Sequence, residues 1–113
     1  MECLFCKIIN REIPADIVYE DEYVLAFNDI DPKAPVHQLI IPKQHIATLN
    51  DITSEQLAVV GRLQYTAAHL AREQGFAEEG YRVVMNCNGM GGQTVYHIHM
   101  HLMGGRQFTW PAG

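Results

Sequence analysis

The chain is short of cysteine, has no block of like charge and has no long apolar run, and each shortage closes off a class of protein. Three cysteines among 113 residues cannot all pair, and two of them sit at positions 3 and 6. A secreted disulfide framework is therefore not expected, and a reducing, cytoplasmic setting fits better. Lys and Arg number 8 against 13 Asp and Glu, a net charge of −5 with neutral histidine. Without a basic stripe to displace counterions, duplex nucleic acid is not an expected partner. A nucleotide-sized anion stays compatible where its donors are local. No apolar stretch approaches the roughly 18 residues of a membrane span, and the first residues do not read as a signal peptide, so no membrane partner is expected.

What is present reads as one domain over residues 1–113, with a C-terminal tail from about 104 to 113. Leu4, Phe5, Ile8 and Ile9 suit a short helix that Pro14 stops. Residues 17–19 and 23–27 read as strands around the acidic turn Glu20-Asp21-Glu22, and residues 38–41 as a third strand ended by Pro42. Thr53 and Gln56 form a capping box at the start of one long helix, whose apolar stripe is Leu57, Val60, Leu63, Ala67 and Leu70 and whose end is Gly75. Residues 81–86 read as a fourth strand, 88–93 as a flexible turn, and 94–103 as a fifth strand broken by Gly104-Gly105. The expected class is α+β: about five strands, mainly antiparallel, with one long helix and a short N-terminal helix.

The chemistry concentrates in His97-Ile98-His99-Met100-His101-Leu102. On a strand, alternate side chains share a face, which puts three of the six histidines in one row and leaves Ile98, Met100 and Leu102 to pack beneath the long helix. A polar row is commonly just a solvated face; three imidazoles beside a glycine-rich turn favour a site. Neighbours in the row are about 6.6–6.8 Å apart along the chain, and zinc holds nitrogen at about 2.0–2.1 Å. One ion cannot readily take both end histidines, so the three must have separate roles. A neutral imidazole needs no added base to attack phosphorus or carbon.

HIHMHL, preceded by GGQTVY and followed by MGGRQ and WP, resembles the histidine triad (HIT) motif His-φ-His-φ-His-φ-φ. CLFCKIINREIPADIVYEDE, VLAFNDIDPKAPVHQLIIPKQH and YRVVMN are each similar to blocks of its Hint branch, so the resemblance covers nearly the whole chain; the tail GGRQFTWPAG is closer to Hint than to Fhit. The resemblance implies hydrolysis of purine nucleoside 5′-phosphoramidates, aminoacyl-adenylate-like substrates included, to a nucleoside monophosphate and an amine. His99 matches the nucleophile that forms a nucleotidyl-imidazole. His101 matches the histidine at the phosphate oxygens. Thr94 stands where the family often has Ser, near the departing amine; by itself it reads as an ordinary strand residue.

For the nucleotide, Asp29 matches the carboxylate that accepts both ribose hydroxyls, and otherwise reads as a turn residue. Phe5, Ile8, Ile13, Phe27 and Ile30 match an apolar base pocket, and core packing explains those five equally well. His37 and Asn86 match polar residues at the phosphate end. Gly91, Gly92 and Gln93 let backbone N–H groups approach an anion. Asn28 departs from the His often found beside the ribose carboxylate. Cys3, Cys6, His45 and His97 match a structural zinc shell, a closed Cys₂His₂ set; the alternative for CxxC is a redox pair, for which the thioredoxin-like βαβ pattern is missing. No organic cofactor is expected. Cys87 reads as a small buried residue and His69 as a polar-face or packing residue. The resemblance also implies a homodimer toward which Trp110 reaches, docking on its own subunit being the alternative. Two other functions stay open: hydrolysis of dinucleoside polyphosphates, and nucleotide binding by a regulatory adaptor.

Overall fold

Val24-Leu25-Ala26-Phe27 is apolar at every position, which suits a strand covered on both faces, and all four side chains are buried. A computed structural model describes residues 2–113. Its elements are α1 (Leu4–Ile9), β1 (Ile17–Glu20), β2 (Val24–Asn28), β3 (Val36–Pro42), α2 (Leu57–Glu73), β4 (Tyr81–Val84), α3 (Asn88–Gly91) and β5 (Met100–Gly104). The strands form one antiparallel sheet in the order β1-β2-β3-β5-β4. Val24, Ala26, Ile40, Met100 and Leu102 point toward Leu63, Ala67 and Leu70 of α2. Leu25, Phe27, Leu39 and Ile41 point the other way, toward Cys3, Phe5 and Ile8 at the N-terminus. The α+β class, the five antiparallel strands and the two helices are as expected. No helix is long and apolar enough to cross a membrane.

Several boundaries differ, each for a local reason. Both halves of the Thr53–Gln56 capping box form, but on a 3-10 turn at Ser54–Gln56, with the α-helix starting at Leu57. Leu57 is 67% exposed and the buried stripe begins at Leu63, so the first helical turn carries its apolar side chain in solvent. Gly75, at φ +84°, ends α2 as expected. The fifth strand spans Met100–Gly104, not 94–103. Ahead of it the backbone follows the loop after β3, with the Ile98 N–H donating to the Ile46 carbonyl at 2.7 Å. β4 accordingly stops at Val84, opposite His101, because its partner strand begins at Met100. Residues 88–93 are not a loose turn: Asn88–Gly91 form α3, closed by Gly92 at φ +88°. Cys87 is half-buried rather than fully enclosed.

Gly104 does not break β5; it pairs with Val36 and Tyr81, and Gly105 ends the strand at φ +91°. The need for glycine at 104 is space, since a Cβ there would lie 2.7 Å from the Phe76 ring. Gly104→Ala is expected to cost about 1–3 kcal/mol through overpacking. Gly61→Ala, mid-helix and with open space around the added methyl, is expected to stabilise by about 0.5–1 kcal/mol. Urea denaturation midpoints of the two variants should move in opposite directions.

Candidate active site

A neutral imidazole has one proton for two nitrogens, so whatever fixes one nitrogen decides what the other can do. His99 is buried, and its Nδ1 lies 2.8 Å from the His97 carbonyl oxygen. A carbonyl only accepts, so Nδ1 holds the proton and Nε2 is left with its lone pair. His37 is fixed from the opposite side: the Lys33 N–H donates to His37 Nδ1 at 2.9 Å. The His37 proton is therefore on Nε2, which donates to His101 Nδ1 at 2.9 Å. His101 in turn carries its proton on Nε2. The two last histidines of the trio thus differ in kind, one with a lone pair on Nε2 and the other with an Nε2–H donor, and their ring centres are 5.1 Å apart. Burial, followed by the neighbouring His99 and His37, pushes the His101 pKa down to about 4. Burial also lowers that of His37, against the opposing pull of Asp29, whose Oδ2 lies 3.4 Å from His37 Nε2.

His99 and His101 line a cavity of about 340 Å³, at the lower end of small-molecule sites. Thr94, Phe5, Ile8, Ile13, Phe27, Asp29 and Ile30 are also on its wall, so nine of the expected residues meet there. Ile30 is fully solvent-exposed and belongs to the rim. Four expected contacts stand off the wall. His37 reaches it only through His101. Asn86 lies beside Gly92, past the end of β4. The N–H groups of Gly92 and Gln93 are not offered to an anion as expected, because they donate to the Gly89 and Asn88 carbonyls. The Gln93 side chain is also committed: Nε2 donates to the carbonyls of Ala47 and Val95, and Oε1 accepts from the Asn88 N–H. It is a strut that ties α3 to the loop after β3. Sequence reasoning passed over Asp16 and Leu39 on the cavity wall; only the pairing of β1 with β2, and of β2 with β3, brings them there.

On the far side of Phe5, Cys3, Cys6, His45 and His97 converge, each with a donor atom within 4.8 Å of the others. His97 Nδ1 lies 3.4 Å from Cys3 Sγ, 3.6 Å from Cys6 Sγ and 3.2 Å from His45 Nδ1, and Cys6 Sγ lies 3.4 Å from His45 Nδ1. A tetrahedral zinc shell has N–N edges of about 3.3 Å and S–N edges of about 3.6 Å from its bond lengths. The donor set therefore fits a four-coordinate ion. His97 Nε2 donates to the Pro42 carbonyl at 2.8 Å, which turns the Nδ1 lone pair into the cluster, the outer hydrogen bond that metal-ligating histidines ordinarily make. Burial and the neighbouring Cys3 push the Cys6 thiol up to about 11. The outer histidines of the trio go to different neighbourhoods, as their spacing requires, even though His97 and His99 precede the regular strand. Phe5 meets His97 and His99 edge-on, at 5.9 and 5.2 Å between ring centres, and joins the two neighbourhoods.

Comparison with known proteins places this geometry. A family model described as HIT domain matches residues 10–108, which leaves Cys3 and Cys6 outside the matched stretch. A purine nucleoside phosphoramidase of Escherichia coli (strain K12) is 57% identical over 105 residues, 93% of this chain and 88% of that protein. A 14 kDa zinc-binding protein of Brassica juncea is 48% identical over 114 residues, 99% of this chain and 100% of that protein. The crystal structure of a HIT family hydrolase from Legionella pneumophila Philadelphia 1 matches with a TM-score of 0.97 at 55% identity, over 99% of this chain and 100% of that chain. Fold and sequence agree across nearly the whole length, and the chain belongs to the HIT domain family.

Proposed function

We propose that the chain is a nucleoside phosphoramidase, which cleaves the P–N bond of purine nucleoside 5′-phosphoramidates through a covalent nucleotidyl-histidine. The observation that carries the reading is the unprotonated Nε2 of His99 beside the Nε2–H of His101 on one cavity wall. His99 Nε2 attacks the α-phosphorus, the P–N bond breaks, and the Nδ1–H stays on the His97 carbonyl, which steadies the charge that the ring acquires. His101 donates to the phosphate oxygens. An arriving phosphate anion also favours its protonated form, so the bound substrate brings the acid that hands the departing amine its proton. Water then attacks phosphorus and gives a proton to His101, which the amine has left one proton short; the His99 Nε2–P bond breaks, and the nucleoside monophosphate leaves. Thr94 offers a hydroxyl where the amine departs. Asp29 accepts the ribose hydroxyls with the oxygen facing His37, its other oxygen being held by the Asp31 N–H at 2.9 Å. Phe5, Ile8, Ile13, Phe27 and the rim residue Ile30 cover the purine.

In the same reading Cys3, Cys6, His45 and His97 hold a structural zinc ion with no open position, which supplies cohesion between α1 and the histidine segment and takes no part in the reaction. A second copy of the chain gives the exposed Leu57, Tyr65 and Trp110 a surface to cover, and a homodimer is part of the proposal.

His99→Ala should abolish turnover of an adenosine phosphoramidate while calorimetry still detects binding of the monophosphate; turnover at the wild-type rate by this variant refutes the covalent route. Parallel assays with an amine-leaving and a polyphosphate-leaving substrate should favour the amine. Elemental analysis of untagged protein should give about one zinc per chain, lost in Cys6→Ser, and a wild-type content below about one tenth removes the metal from the account. Stability should also depend on pH. His101 titrates near 4 when folded, below the ordinary histidine value of 6.5, and His37 shifts the same way. Their contribution is complete above pH about 6.5 and is lost as pH falls toward 4, because the unfolded chain then binds more protons. Denaturation midpoints should be level near pH 7–8 and fall between 6.5 and 4, less steeply in His101→Asn.

A further inference from the structure

The proton on His101 Nε2 is set from outside the histidine row. The Lys33 N–H donates to His37 Nδ1, His37 Nε2–H donates to His101 Nδ1, and the last proton is left facing the cavity. The relay therefore starts at a single main-chain amide, in the loop between β2 and β3. Asp29 Oδ2 favours the same proton position on His37, but at 3.4 Å it stands beyond the ordinary length of an N–H···O bond. Within the loop itself, the Lys33 side chain pairs with Asp31, and both are exposed. That pair leaves the Lys33 peptide free to turn.

The segment after β5 is what holds the peptide. Gly105 lies against Pro35, so close that a Cβ on it would come within 2.9 Å of the proline Cβ. Next to it, Arg106 Nε donates to the Lys33 carbonyl at 3.0 Å. The guanidinium is pinned in turn: its Nη1 donates to the Gln107 carbonyl at 3.3 Å, and its Cζ lies 4.2 Å from the centre of the Phe108 ring. Arg82 of β4 completes the brace, with its Cζ 5.2 Å from the same ring centre and its Nη2 donating to the Thr109 carbonyl at 2.9 Å. A flat guanidinium can stack on a ring and still donate from its edge, which a lysine ammonium cannot.

We propose that Arg106 is a positioning residue: by holding the Lys33 peptide against His37, it keeps the His101 proton on Nε2. Its effect on turnover rests on the phosphoramidase reading, in which that proton faces the phosphate oxygens. Once the Lys33 N–H leaves His37 Nδ1, the pair of rings can reverse. His37 then carries its proton on Nδ1, and His101 carries its own on Nδ1 and donates it to His37 Nε2. His101 Nε2 is left with a lone pair, which repels an anion instead of binding it.

The test is the long-range proton–nitrogen spectrum of the imidazoles in wild type, Arg106→Ala and Arg106→Lys, at neutral pH or above, where burial keeps His37 and His101 neutral. A ring nitrogen that carries a proton resonates well apart from one that does not. Wild type should show His37 and His101 protonated on Nε2 and His99 on Nδ1. Arg106→Ala should give mixed proton positions at His37 and His101 and leave His99 as it was, because the His97 carbonyl holds that ring independently. Arg106→Lys, which keeps one donor without the stack, should lie between the two. With an adenosine phosphoramidate, kcat of Arg106→Ala should fall about fivefold, the scale of one hydrogen bond, while KM stays within about twofold of wild type. Unchanged proton positions at His37 and His101 in Arg106→Ala overturn the assignment, and so does an equal disturbance at His99, which would mark a general loosening of the fold. If the proton positions mix but kcat holds, or if wild type turns over no phosphoramidate, Arg106 keeps its role and the phosphoramidase reading of His101 fails instead.

Discussion

The backbone decides which nitrogen of each histidine is free, and the site depends on those decisions. Two carbonyls, of Pro42 and His97, and one amide, of Lys33, set four imidazoles. Each contact is a single hydrogen bond, modest in net energy, yet it selects between two tautomers of opposite chemical use. A carbonyl beside Nδ1 leaves the lone pair on Nε2 in His99. A carbonyl beside Nε2 leaves the lone pair of His97 on Nδ1, facing the two cysteines. A donor at Nδ1 of His37 is relayed through His101 and ends as a proton facing the cavity. No ionised side chain is needed to write this pattern, which is why burial can keep His37 and His101 neutral without disrupting it.

These contacts are possible because the sheet is covered on both faces. α2 takes one set of alternate side chains and α1 the other. The row from Ile17 to His101 lies on the α1 face, and the cavity forms between that row and Phe5 and Ile8. The row runs across the strands, so the cavity takes its wall from β5, β3, β2 and the start of β1 in turn. Residues far apart in the chain, such as Ile17, Phe27 and His101, are brought into line by register alone.

Much of this was legible in the sequence, and the limits of the rest have physical causes. Alternation in HIHMHL placed Ile98 and Met100 against α2 and the histidines opposite them, although only the second half of that stretch is a regular strand. The rule survived because an extended backbone alternates whether or not a ladder partner is present. The same stretch misled about strand length, since no local signal announces that Ile98 donates to Ile46. NGMGGQ looked mobile because glycine favours turns; the Gln93 side chain, tied to Ala47 and Asn88, makes it ordered instead. The tautomer of His101 was out of reach, because it depends on a main-chain N–H at Lys33. Asp16 gave no sign of its position either, since pairing of β1 with β2 is a property of the fold.

The cysteine–histidine cluster and the cavity share α1, and that sharing assigns the cluster a consequence. A six-residue helix is too short to hold its shape alone. Cys3, its N-cap, accepts the Cys6 N–H at 3.3 Å, and both sulfurs face His97. Phe5 lies between those two cysteines in sequence and Ile8 one turn further on, and both are buried cavity-wall residues. Loosening the cluster therefore loosens the apolar wall first. The tautomer of His99 depends instead on the His97 carbonyl, a main-chain group, so binding of the base should weaken before the intrinsic reactivity of the nucleophile declines.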